Sequence, residues 1–136
     1  MRMIGLVFLA SAMLAQAPTF QPVASTLQLM EAMIIPSSNA LFEVGASEPK
    51  DEMQWAAVRN NALILAESGN PLMMGARAND PGEWMKASRL LVAAGTAAYK
   101  AAQAKDVDKL AGDISEQILN SCQTCHERYM DKGKTQ

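Results

Sequence analysis

The 136-residue sequence is poor in the residues on which metal sites and enzymes commonly rely: it has one histidine and two cysteines. One histidine excludes a site with two histidine ligands from the same chain, and three Cys and His residues fall short of the four ligands of a structural zinc site. Neither clustered metal-binding carboxylates nor a nucleophile motif is present, so the sequence does not favour an enzyme. A formal net charge of -2 gives no electrostatic reason to expect binding to nucleic acid or to an anionic membrane surface.

Aromatic residues make up only 5% of the chain, and β-branched residues are sparse, whereas alanine and methionine are abundant. This composition favours helices over strands. The length suggests one domain, and no internal repeat or low-complexity segment is visible.

Four amphipathic patterns predict four helices, at about residues 23–44, 51–68, 81–104 and 106–130. Asp51, Asp80 and Asp106 are placed to cap the last three, and Gly69-Asn70-Pro71 predicts the end of the second. Pro36 predicts a kink or a restart within the first. Its predicted inward stripe comprises Val23, Leu27, Met30, Ile34 and Leu41. The predicted fold is all-α, an antiparallel four-helix bundle.

Both cysteines and the only histidine occur together, in Cys122-Gln-Thr-Cys125-His126 near the C-terminus. C-x-x-C-H is the attachment signature of a c-type haem, in which two thiols bond the haem vinyl groups and the histidine is an axial iron ligand. On a helix these three side chains project from one face, as a flat macrocycle lying against that helix requires. The motif therefore predicts one covalent haem c on Cys122 and Cys125, with His126 as the proximal iron ligand.

Two other interpretations of the cysteines compete. A thioredoxin-like redox pair requires a βαβ setting, and no strand pattern surrounds this motif. A helical bundle without haem, whose cysteines form a disulfide, remains an alternative.

Residues 1–17 have the pattern of an export signal. Arg2 provides a short positive region, an apolar segment follows from Ile4 to Leu14, and Ala15-Gln16-Ala17 is typical of a cleavage site. Pro18 directly after this site is unfavourable for cleavage, so the segment is either removed or kept as an N-terminal anchor. An apolar helix belonging to the fold is the alternative. The prediction is thus a signal peptide at 1–17, the bundle at 18–136, and a periplasmic location.

A haem motif on the last of four helices resembles the class II cytochromes c, that is, cytochrome c prime and its low-spin relatives. The segments that carry the resemblance are Leu29-Met30, Ile34 to Ser37, Ala40 to Phe42, Glu83-Trp84, Asp106 to Leu110, Ile118, and Ser121 to Tyr129. It spans roughly residues 23–132. Two positions depart from the family pattern: Thr26 and Met130 stand where basic residues are common.

The resemblance implies that the other face of the iron decides the function. In the low-spin relatives a methionine on the first helix is the sixth ligand, and Met30 matches that position; Met33 is the reserve candidate. Simple core packing is the alternative role of Met30, because methionine fills irregular apolar gaps. Ligation by Met30 implies a low-spin electron carrier. A vacant distal side implies a five-coordinate binder of nitric oxide or carbon monoxide.

The same resemblance implies redox partner proteins in the periplasm. Family members often dimerise through their first two helices, so a homodimer is also compatible with it. No nucleic-acid partner is expected, and no membrane contact beyond a retained N-terminal anchor.

Overall fold

A computed structural model describes residues 19–130, and this part of the chain contains helices and no strand. Its four long helices are α1 (residues 26–42), α2 (Glu52–Leu72), α3 (Glu83–Ala104) and α4 (residues 107–129). Helix α4 is kinked at Gly112, whose φ and ψ are not helical, within a π-helical turn at Leu110–Ile114. Short 3-10 turns occur at Glu43–Gly45 and Gly75–Arg77. The all-α prediction is therefore confirmed, and four packed helices are consistent with a bundle. The export signal predicted at 1–17 lies outside the described residues.

None of the helices between residues 19 and 130 is long and apolar enough to cross a membrane.

Side-chain caps fix where three of the helices begin. Ser25 caps α1: its hydroxyl accepts from the Gln28 amide at 3.2 Å, and the Gln28 side chain accepts from the Ser25 amide at 2.8 Å. Asp51 and Asp106 cap α2 and α4 by accepting from backbone amides three residues on, at 2.8 and 2.9 Å. Each cap uses a polar side chain that the sequence places directly before an apolar pattern.

Helix α3 begins at Glu83, two residues later than Asp80-Pro81 predicts, and Gly82 is its N-cap residue. The Asp80 carboxylate still accepts from two amides at this end, those of Gly82 at 2.8 Å and Trp84 at 3.4 Å. The aspartate thus stabilises the helix start from one turn earlier in the chain.

Helix α2 continues through Leu72, past the stop predicted at Gly69-Asn70-Pro71. Gly69 is buried where α2 crosses α3, and a Cβ built on it would lie 2.8 Å from the Ser88 carbonyl oxygen. On α3, a Cβ on Gly95 would lie 2.6 Å from Cα of Ala66. These glycines permit the two helices to approach closely, so packing between helices outweighs the local stop signal.

The buried core runs through all four helices and is mostly aliphatic and alanine-rich. Its members are Leu29, Ile34, Leu41, Val44, Trp55, Val58, Ala62, Leu65, Leu72, Trp84, Leu91, Ala94, Ala98, Ala101, Ala102, Leu110, Ile114 and Ile118.

The inward stripe predicted for α1 is wrong at its start. Val23 precedes the helix and is 97% exposed, and Leu27 is 65% exposed, whereas Leu29 is buried in their place. The physical reason is a change of register within the helix. Residues Met30–Ile34 form a π-helical turn, in which the Ile35 amide donates to the Met30 carbonyl five residues back.

Candidate haem site

The three residues of the Cys-x-x-Cys-His motif lie on one face of α4, in the helical segment Ser115–Tyr129. Cys122 and Cys125 are half-buried, and His126 is exposed. All three line one cleft of about 480 Å³, mouth included. The other residues lining it are Met30, Ile34, Ile35, Ser38, Leu72, Ala87, Ser88, Leu91 and Ser121. One surface thus gathers the motif with side chains of the other three helices.

A second cleft, of about 770 Å³ with its mouth, adjoins the first. The two share Met30, Ile35, Cys125 and His126, and the second is completed by Thr26, Leu27, Trp84, Tyr129 and Met130.

Both clefts are almost entirely apolar. Three serines lie in the first cleft, but each hydroxyl donates to a carbonyl of its own helix: Ser38 to Ile35 at 3.1 Å, Ser88 to Trp84 at 2.9 Å, and Ser121 to Ile118 at 2.7 Å. None of the residues lining either cleft is an acid, a lysine or an arginine. The walls therefore suit a largely apolar group.

Three of the nine large apolar side chains that are exposed within residues 19–130 border the second cleft. Leu27, Ile35 and Met130 are 65%, 50% and 60% exposed, and all three line the second cleft. Exposed apolar clusters in a soluble domain mark a surface that binds something. A group bound here would cover all three at once.

The two thiols are free rather than joined in a disulfide. Burial raises the pKa of Cys122 above the usual range of a thiol, and burial together with the neighbouring Cys122 sulfur raises the pKa of Cys125. A thioredoxin-like pair needs a thiol whose pKa is lowered. The helical setting and the raised pKa values both argue against that interpretation.

Across residues 19–130, no group of three or more His, Cys, Asp and Glu side chains is arranged to hold a metal ion.

Met30 lies in α1 opposite the motif and lines both clefts. Its side chain is half-buried and also packs against the core. Met33, the reserve candidate, packs against the core as well but lines neither cleft. Met73 and Met74 line separate grooves beside the α2–α3 connection, as expected for loop packing. Of the four, only Met30 shares the cleft with His126.

An aromatic pair forms one wall of the second cleft. The rings of Trp84 and Tyr129 meet edge to face, with centroids 5.1 Å apart and an interplanar angle of 82°. The buried Trp84 indole donates to the Leu72 carbonyl at 2.7 Å. These contacts hold the beginning of α3 against the end of α2 and the last turn of α4.

The Tyr129 hydroxyl donates a hydrogen bond to the Asp80 carboxylate, which joins α4 to the loop before α3. This bond is the main cause of the lowered pKa of Asp80. Burial and the same carboxylate raise the pKa of Tyr129. Because Tyr129 follows His126 by three residues, the bond secures the helical turn that carries the histidine.

Sequence patterns missed several residues of the clefts. Ile35 lies off the stripe that regular α-helical spacing predicts, and Leu72 lies beyond the predicted end of α2. The Asp80–Tyr129 bond joins residues 49 positions apart, and no local signal announces it.

Searches against protein-family models, curated proteins and solved structures found no match to this chain.

Proposed function

We propose that this protein is a c-type cytochrome with a single haem attached to α4. Cys122 and Cys125 would form the thioether bonds, and His126 would be the proximal iron ligand. The observation that carries the proposal is that these three side chains line one apolar cleft together with Met30, the methionine that the family resemblance implies as a ligand.

The particular function proposed is that of an exported, low-spin carrier of single electrons in the periplasm. When bound, haem supplies the reversible one-electron change at iron. The chain contributes the two thiols, the His126 imidazole, the Met30 thioether and apolar walls that exclude water. Thioether ligation favours reduced iron and therefore raises the reduction potential relative to two histidines.

A five-coordinate binder of carbon monoxide or nitric oxide is the second candidate. The specific observation in its favour is that Met30 also packs against the core, a position compatible with a methionine that only fills space. In that case the apolar residues around Met30 would line the pocket in which the gas binds.

The first experiment tests haem attachment. The full chain is expressed with its N-terminal segment in a host that attaches c-type haem, and the protein is then denatured. The expected result is haem that stays bound to the polypeptide, and the Cys122→Ala/Cys125→Ala double variant should release it. A colourless wild-type protein, or haem lost on denaturation, would overturn the proposal in favour of a bundle without haem.

The second experiment separates the two functions. Ferric and ferrous spectra are recorded, with and without carbon monoxide, for the wild type, Met30→Ala and Met33→Ala. An electron carrier should show the long-wavelength absorption band of ferric iron bound to a thioether sulfur, and its ferrous form should bind carbon monoxide slowly.

Met30→Ala should lose the band and bind carbon monoxide rapidly. Met33→Ala is the matched control, because it shortens a half-buried methionine of the same helix outside the clefts. Rapid binding already in the wild type would instead identify the gas-binding cytochrome.

A further inference from the structure

Helix α1 contains one residue more per turn at Met30–Ile34 than an α-helix would. In an α-helix successive residues advance by about 100°, so residues five apart point about 140° away from each other. In a π-helical turn the hydrogen bond spans five residues instead of four, and residues five apart face nearly the same way.

Two pairs of side chains in α1 depend on this wider turn. Leu29 and Ile34 are five residues apart and both are buried in the core. Met30 and Ile35, also five apart, both line the two clefts. With regular α-helical spacing the members of each pair would point about 140° apart, and the extra residue turns them toward a common surface.

Pro36 follows this turn directly, at the second position of the segment Ile35–Phe42. A proline inside a helix has no amide hydrogen, and its ring collides with the carbonyl four residues earlier, here that of Ala32. The wider turn ending at Ile34 moves the preceding turn away from the ring. Pro36 therefore disfavours the α-helical alternative at the place where the register changes.

We propose that Pro36 is a positioning residue for the distal ligand: by favouring the π-helical turn, it directs the Met30 thioether into the haem cleft. This inference rests on the proposed function, since it concerns the sixth ligand of the same haem. Without the proline, the residue at position 36 has an amide that can donate to the Ala32 carbonyl, as in a regular α-helix. The Met30 side chain then points away from that of Ile35.

The test is a pair of variants made in the full, haem-loaded protein. Pro36→Ala permits the α-helical turn while leaving the extra residue in place. The second variant combines Pro36→Ala with deletion of Ala32, an exposed residue inside the π-helical turn. The deletion turns both five-residue spacings into four-residue spacings, which an α-helix places on one face.

The expected result is that Pro36→Ala keeps covalent haem but loses the thioether–iron band and binds carbon monoxide faster, and that the deletion restores both properties. Pro71→Ala is the matched control, since Pro71 also lies inside a helix but lines neither cleft. This control should keep the wild-type spectrum. Circular dichroism of each variant reports whether the helices form.

The proposal is overturned if Pro36→Ala retains the wild-type spectrum and carbon monoxide rate, or if the folded deletion variant does not recover them. Loss of folding in both variants also counts against it, because the deletion variant should accommodate the same packing. A five-coordinate wild type with covalent haem refutes this inference alone. A wild type without covalent haem refutes the proposed function itself.

Discussion

Replacing Gly95 by alanine should destabilise the protein through the crossing of α2 and α3. A Cβ at this position would lie 2.6 Å from Cα and 2.9 Å from Cβ of Ala66, well inside van der Waals contact. Ala66 Cα belongs to backbone, so the contact cannot be relieved by a rotamer change. The two helices would have to separate along a surface that includes Ala62 and Ala98, both fully buried.

The expected magnitude is the difference of two effects. Overpacking of this kind costs about 1 to 3 kcal/mol, and the upper part of that range applies because the obstacle is backbone. Alanine gains about 1 kcal/mol over glycine in helix propensity. The net loss is therefore about 2 kcal/mol, and at about 3 to 5 °C per kcal/mol for a chain of this size the melting temperature should fall by about 6 to 10 °C.

Thermal and urea unfolding followed by circular dichroism measure this loss. Ala93→Gly is the matched control, because Ala93 is exposed in the same helix and reports the propensity term alone, about 1 kcal/mol. A Gly95→Ala protein as stable as the wild type, beside a destabilised Ala93→Gly, would refute the close crossing of α2 and α3.

Two further predictions concern single side-chain contacts, that of Asp80 with Tyr129 beside the second cleft and that of Arg77 with the Ala24 carbonyl. The hydrogen bond from Tyr129 stabilises ionised Asp80 and lowers its pKa in the folded protein. The contribution of this bond to the free energy of unfolding is therefore complete above the ordinary pKa of 3.8, and it is lost as the pH falls through the lower pKa of the folded state. Melting temperatures recorded between neutral pH and pH 3 should fall less steeply for Asp80→Asn, and an unchanged acid dependence would argue against the bond. Arg77 donates to the Ala24 carbonyl through Nε and Nη2, at 3.0 and 2.7 Å. Because Arg77 is half-buried, Arg77→Met should lower the free energy of unfolding in urea by about 1 kcal/mol. An unchanged urea midpoint would show that water replaces these two hydrogen bonds without loss.

The part of the candidate site that lies on α4 can be predicted from the sequence, because its three residues are close together in the chain. Cys122, Cys125 and His126 are three and four residues apart, and helical spacing alone brings them to one face. In the structure the three side chains line one cleft. The cofactor itself stays a prediction.

The part of the candidate site that lies on α1 can be predicted only partly from the sequence. The sequence indicates Met30 and a disturbance at Pro36, and the structure has a π-helical turn beside Pro36 that changes the register of the helix. Regular α-helical spacing places Val23 and Leu27 in the core, where Leu29 lies instead. Pro36 is the local part of the information for the wide turn, whereas the burial of Leu29 and Ile34 in the core depends on distant parts of the chain that no local pattern contains.

The same register change bears on the choice between the two proposed functions. If Met30 only filled space, its direction would matter little, since methionine adapts to irregular gaps. A π-helical turn inside an α-helix is rare and is frequently found at functional sites. Here the buried pair Leu29 and Ile34 holds one side of the turn, while the other side presents Met30 to the cleft that His126 lines. A fixed direction is what a ligand needs and a packing residue does not, which favours ligation by Met30 over a vacant distal site.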